Sequence, residues 1–268
     1  MKRQLPRAAD DGNWAVTVLE LKQFEAPLSA FVVDADPGVR IRVAVNALLL
    51  QRRRQTIIVD AGTGVMAHLI DGLQMDLDAA LRAHRVKPND IDLVILTHLH
   101  GDHVGGALHG SWPDDLSPAF PNARVVASAV EVEWSRGGGS GRINEGGPVA
   151  VAALAPVLVA VAGDVEVAPG VRLRPAPGHT PGHSVVEVDG RDPLVFAADL
   201  IHAIELVERP QAVVPDIDQA LGLETRRRLL NEFADRGVDV LATHIPGQVP
   251  ARVERSGSGF RWVPRRRD

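Results

Sequence analysis

The chain has no cysteine and no tyrosine, and aromatic residues make up only 4% of its 268 positions. Lack of cysteine removes disulfides, a thiolate nucleophile, zinc-finger sites and any thiolate metal ligand. No apolar run is long enough to span a bilayer. The longest, residues 149–162, has 14 residues with Pro156 inside it, which predicts a buried or kinked helix. A basic excess is missing too: the formal charge is −5 and the pI about 6.1. That argues against nucleic acid and against a membrane surface as partners. Residues 1–7 lack the apolar core of a secretory leader, so a cytoplasmic protein is expected. What remains is 45% apolar and 24% charged, as in an ordinary globular protein with a sizeable core.

The chemistry is concentrated in Thr97-His98-Leu99-His100-Gly101-Asp102-His103, which follows an apolar run at 91–96. Three imidazoles and a carboxylate crowded where a buried strand surfaces are costly unless a partner compensates them. A divalent cation such as zinc is the natural partner of that donor set.

Along the chain, 14–21, 31–33 and 41–50 read as strands, 23–30 as a loop, and 52–54 as a solvated arginine turn. Strand 56–59 ends in Asp60 and a glycine-rich turn without the spacing of a nucleotide loop. Leu77, Ala80, Leu81 and His84 fall on one helical face, making His84 a packed residue. The Gly137–Gly141 stretch is expected to be a mobile loop, and 265–267 a solvated basic tail. In the second half, strand 194–198 ends in Asp199, strand 238–243 ends in His244, and His179 stands in Pro177-Gly178-His179-Thr180-Pro181-Gly182. A helix is expected over 223–236, closed by Gly237, followed by a hairpin at 252–263.

If these strand ends share one edge, seven ligands meet: His98, His100, Asp102, His103, His179, Asp199 and His244. A single catalytic zinc uses about three protein ligands plus water. Seven suit two ions bridged by one carboxylate, in the manner of two-metal hydrolytic sites. Asp60, His183 and His202 are expected to orient ligands or touch substrate. His68 and His109 are expected at the surface or in the outer surroundings of the ligands.

These motifs, in this order, resemble the metallo-β-lactamase superfamily over nearly the whole chain. The resemblance implies an α/β fold, a four-layered αβ/βα sandwich, forming a single domain over 1–268 with loose termini at 1–13 and 264–268. It also implies that His98, His100 and His179 hold one ion, that Asp102, His103 and His244 hold a second, and that Asp199 bridges. The absence of cysteine is unlike the class B1 β-lactamases. Ala198-Asp199-Leu200-Ile201-His202, His244-Ile245-Pro246-Gly247 and the closing 260–264 look most like the methyl parathion hydrolase and lactonase-like branch, although the tyrosine common beside the substrate in acyl-homoserine lactonases has no counterpart here.

The activity so implied is hydrolysis of a lactone or carboxylic ester by a metal-bridging hydroxide, with Asp102 as the catalytic carboxylate. An organophosphate triesterase, a glyoxalase II-type thioester hydrolase and a non-catalytic metal-binding protein are the alternatives. The expected cofactors are two divalent ions, zinc first, with iron, manganese and cobalt compatible with the same donors. The expected partner is a small-molecule ester, lactone or phosphotriester; the resemblance makes a homodimer possible, while the residues themselves leave the oligomeric state open.

Overall fold

Ile57, Ile58 and Val59, like Leu93, Val94 and Ile95, are buried side by side along their strands. Successive side chains of a strand point to opposite faces, so such runs need cover on both. The computed structural model describes residues 13–70, 73–139, 146–247 and 249–265, and it supplies that cover as four layers. The first sheet is ordered β1 (Ala15–Pro27), β2 (Arg40–Arg52), β3 (Gln55–Val59), β4 (Leu93–Ile95), β7 (Arg124–Ser128) and β8 (Leu158–Val161). A separate hairpin, β5 (Leu108–Ser111) with β6 (Asp115–Pro118), intervenes in sequence.

The second sheet runs β15 (Gly259–Pro264), β14 (Ala251–Ser256), β13 (Asp239–Leu241), β12 (Leu194–Phe196), β11 (Ser184–Val188), β10 (Val171–Pro175) and β9 (Val165–Ala168). Between the sheets, Leu48, Leu50, Ile57, Val59 and Ile95 meet Val171, Leu173, Val186, Phe196 and Leu241. On the far face of the first sheet, Leu49, Ile58 and Val94 pack against α1 (Leu77–Ala83), α3 (Ala129–Arg136) and α4 (Gly147–Leu154). Beyond the second sheet, Val185, Val195 and Val240 pack against Leu229, Leu230 and Phe233 of α6 (Gln219–Arg236). Two short helices, α2 (Gly101–Val104) and α5 (Glu205–Glu208), are the other α-helices among the described residues.

The strand directions place the site. Strands β3, β4 and β7 run parallel, as do β12 and β13, so each sheet ends several strands at one rim. Backbone bonds stitch the two rims together: Ser184 N–H donates to Thr97 O (3.0 Å) and Asn46 N–H to Thr243 O (3.0 Å).

Several local expectations are corrected. Residues 23–27, expected in a loop, continue β1, because a register shift between Glu20 and Lys22 resets the alternation that the sequence shows. Residues 31–33, expected as a strand, make a single bridge, Val32 to Val213. The 149–162 run is no single helix: α4 stops before Pro156 and β8 follows as an edge strand, since proline ends a helix. At the C-terminal end, Pro264 belongs to β15, and Arg265 donates to Asp239 Oδ2 (2.6 Å) instead of being loose and merely solvated. Residues 1–12, 140–145 and 266–268, including part of the expected glycine-rich loop and most of the expected loose ends, lie outside the described residues.

Candidate metal centre

Two carboxylates reach the rim from strained backbone. Asp60, after β3, has φ 57°, and Ala198, before Asp199, has φ 47°. Left-handed conformations are uncommon outside glycine and persist where surrounding structure enforces them, often at functional sites. Asp60 N–H donates to Ile95 O (2.9 Å), and its carboxylate accepts from Thr97 N–H (2.9 Å) and Thr97 O–H (2.8 Å). Gly105 and Gly106 let the histidine loop close on this turn, because a Cβ at either would strike the carbonyls of Thr63 or Ala61. Gly178, at φ 131°, similarly brings the His179 loop against Gly222 of α6.

The predicted ligands come together. Nitrogens of His98, His100 and His179 form one group, with His98 Nε2 and His179 Nε2 each 3.1 Å from His100 Nδ1. Asp102, His103 and His244 form another, and Asp199 joins His98 and His103. Asp199 Oδ1 lies 3.2 Å from His103 Nε2, while Oδ2 lies 3.1 Å from His244 Nε2 and 3.3 Å from His179 Nε2. Six of the seven are buried; Asp102 alone is partly open to solvent.

Hydrogen bonds on the outer nitrogens aim the inner ones. His103 Nδ1 donates to Asp60 Oδ2 (2.8 Å), His244 Nδ1 to Ala44 O (3.0 Å) and His179 Nδ1 to Asp216 Oδ1 (3.3 Å). Thr97 Oγ1 gives its hydrogen to Asp60 and so accepts from His98 Nδ1 (3.1 Å). These tautomers follow from the network, and they leave a lone pair on each Nε2 directed inward, the outer-shell pattern of metal-ligating histidines.

That donor set fits two divalent cations. Acceptor nitrogens of His98 and His179 both face His100 Nδ1, at separations close to the roughly 3.3 Å edge of a tetrahedron with zinc–nitrogen bonds of about 2.05 Å. His103 Nε2 and Asp199 Oδ1, 3.2 Å apart, are buried without a well-formed hydrogen bond, an arrangement that a shared cation would satisfy.

The electrostatics divide the histidines into two groups. Burial, and then neighbouring imidazoles, push His98 and His100 well below the ordinary histidine range, and burial lowers His179 to about 4. These three are neutral, the ligating form. Burial also opposes charge on His103 and His244, but the carboxylates around them, Asp199 foremost and Asp102 with it, together prevail and raise both. Asp199 is held well below the usual carboxylate range: burial opposes this, and His244, His103 and His202 prevail.

The three residues expected around the ligands also sit here. Asp60 is described above. His183 accepts from Asp199 N–H (3.2 Å) and donates to Ala176 O (3.0 Å). His202 Nε2 lies 3.3 Å from Asp199 Oδ2, and its ring stacks on that of His244 at 5.2 Å. His84 caps α1, and His68 and His109 are exposed; none joins a ligand group. Sequence reasoning missed Asp216, which holds His179, and Arg226, which donates to Asp216 Oδ2 (2.9 Å) and to Leu200 O (2.7 Å) beside Asp199.

The family model described as the metallo-beta-lactamase superfamily matches residues 40–244, a span that includes all seven convergent side chains. The chain belongs to the metallo-beta-lactamase superfamily. Among sequence relatives, N-acyl homoserine lactonases of a Bacillus species and of Bacillus cereus are each 26% identical over 213 residues, covering 72% of this chain and 78% of theirs. Both fit the lactonase side of the expected branch. Among solved structures, AidC, a dizinc quorum-quenching lactonase in complex with a product, superposes with a TM-score of 0.83 at 23% identity, over 96% of each chain. The hydrolase AbOPH gives 0.81 at 23% identity over 97% of each. This superfamily fold is therefore the observed sandwich, with the convergent side chains along its rim.

Proposed function

We propose that this protein is a dinuclear metal-dependent hydrolase that opens lactone rings, with N-acyl homoserine lactones as the first substrate class. The observation that carries the reading is the meeting of His98, His100, Asp102, His103, His179, Asp199 and His244 at one rim, with the outer bonds of His98, His103, His179 and His244 leaving a lone pair on each inner Nε2. Relatives named as N-acyl homoserine lactonases, matched over 72% of this chain, supply the substrate class. His98, His100 and His179 would hold one ion and Asp102, His103 and His244 the other, with Asp199 within reach of both groups.

Divalent ions, zinc first, supply Lewis acidity toward a carbonyl oxygen and acidify water to near neutrality. The chain supplies the rest. Asp102 Oδ2 stands 3.7 Å from His103 Nε2 and 3.8 Å from His244 Nε2, on the side reachable from solvent. It holds the proton taken from attacking water and returns it to the ring oxygen as that carbon–oxygen bond breaks. His202 Nε2 lies 3.3 Å from Asp199 Oδ2 and so helps hold that carboxylate at the rim. Phe31 packs on His202 and His244, with ring centres at 5.8 and 6.2 Å, and shields both from bulk water. Among the described residues no helix is long and apolar enough to cross a membrane.

The test is ring-opening of an N-acyl homoserine lactone followed by proton release, with metal content measured on the same sample. Purified protein is assayed as isolated, after chelation and after zinc is restored, beside p-nitrophenyl esters, a thioester and a paraoxon-type triester. Lactone turnover that falls with metal removal and returns with zinc is expected. Undiminished turnover in metal-stripped protein, or a preference for the triester or thioester, overturns the reading.

A further inference from the structure

Glu131, on α3, is fully buried, yet nothing above uses its carboxylate. Its Oε1 accepts from Leu99 N–H (3.0 Å), and its Oε2 accepts from Thr180 O–H (2.6 Å) and Gly182 N–H (3.1 Å). Leu99 lies between His98 and His100, and Thr180 follows His179. One carboxylate thus ties together the two chain segments that carry the three-histidine group. Close approach is built in: a Cβ at Gly182 would collide with the Glu131 backbone, so α3 and the His179 loop touch without a side chain between them.

An ion-free packing role does not explain this choice of residue. A buried carboxylate is expensive to desolvate, and an apolar side chain would fill the same volume at lower cost. Burial does push the Glu131 carboxyl up, and the Thr180, Leu99 and Gly182 donors counter it. What the carboxylate adds is geometry: three acceptor positions fix how far the Leu99 loop stands from the Thr180 loop. A change in that spacing acts on His98 and His100 against His179. All three of its hydrogen bonds fall on these two segments, and none on Asp102, His103 or His244.

We infer that Glu131 is a positioning residue that sets the separation of the two loops and thereby the affinity for the ion held by His98, His100 and His179. The inference rests on the two-ion reading above, and its signature is selectivity between the two sites. E131Q keeps the shape of the side chain. Its amide nitrogen must face either Leu99 N–H or Gly182 N–H, so at least one buried donor loses its acceptor. T180V removes a single strap bond at nearly constant volume and perturbs folding least.

Full-length protein stripped of metal is titrated with cobalt(II), following ligand-field absorption and bound-metal stoichiometry. H179A and H244A serve as markers for which step belongs to which site. Two steps are expected for the natural sequence. In E131Q the step lost by H179A weakens about 10- to 100-fold, the usual range for disturbing the surroundings of metal ligands, while the other stays within about twofold. T180V shifts the same step in the same direction by less. Unchanged affinity in both variants, or equal weakening of both steps, overturns the inference, and T180V decides it if E131Q does not fold. A natural-sequence protein that takes up fewer than two ions instead overturns the two-ion reading itself.

Discussion

Asp60 Oδ2 and His103 Nδ1 lie 2.8 Å apart although 43 positions separate them in the chain, and both are buried. The contact fixes the His103 tautomer and turns its Nε2 toward Asp199. Because Asp60 also takes both hydrogens of Thr97, it steadies His98 through the Thr97 hydroxyl.

Asp60→Asn keeps the left-handed backbone, which asparagine tolerates, but puts an amide where a carboxylate accepts three bonds. Metal affinity is expected to fall about 10- to 100-fold, with thermal stability of the metal-free protein changed far less. Competition against a chromogenic chelator measures the first and a melting curve the second. Affinity within twofold of the natural sequence contradicts this assignment.

Arg226 carries a different prediction. Its guanidinium is buried, paired with Asp216 and bonded to Leu200 O and Gln211 O (3.1 Å). Arg226→Met leaves Asp216 buried without its cation, and breaking one half of such a pair destabilises by about 3–5 kcal/mol. Urea unfolding of the metal-free protein reads this directly. A loss under about 1 kcal/mol shows that Asp216 finds another partner.

Acid stability follows from a surface network. Arg174 donates twice to Glu232 at 2.6 Å, and Arg236 bridges Glu232 (2.9 Å) and Glu187 (2.9 Å). Bonding to Arg174 first, against partial burial, and then to Arg236 lowers Glu232 from 4.5 to about 2. A carboxylate depressed on folding stabilises fully above its unfolded value and loses that contribution as pH falls through the folded value. The melting-temperature gap between the natural sequence and E232Q is therefore expected at pH 6, shrinking from about pH 4.5 toward 2. A gap independent of pH points to packing instead of charge.

The local parts of this site were legible because they are local. His98, His100, Asp102 and His103 stand within six positions, and Asp199 and His244 announce themselves by ending apolar strands. Asp216 offers no such sign: it follows Pro215 in an irregular segment, and only the fold brings it to His179. Arg226 reads as one of three consecutive arginines on a helix, and which of them turns inward depends on what α6 covers. Glu131 sits in a short helix whose buried face includes a carboxylate, contrary to the pattern that marks a core position. In the fold, the strand cores were readable from branched apolar runs. The β1 extension was hidden by its register shift, and the division of 149–162 between α4 and β8 depended on how the chain leaves Pro156.

The central claim is that two ions share the rim with Asp199 between them. A crystal of protein purified with zinc, measured on both sides of the zinc absorption edge, tests it most directly. Two anomalous peaks are predicted about 3.5–4 Å apart, one among His98, His100 and His179 and the other among Asp102, His103 and His244. A single peak, or zinc lying away from Asp199, contradicts the account.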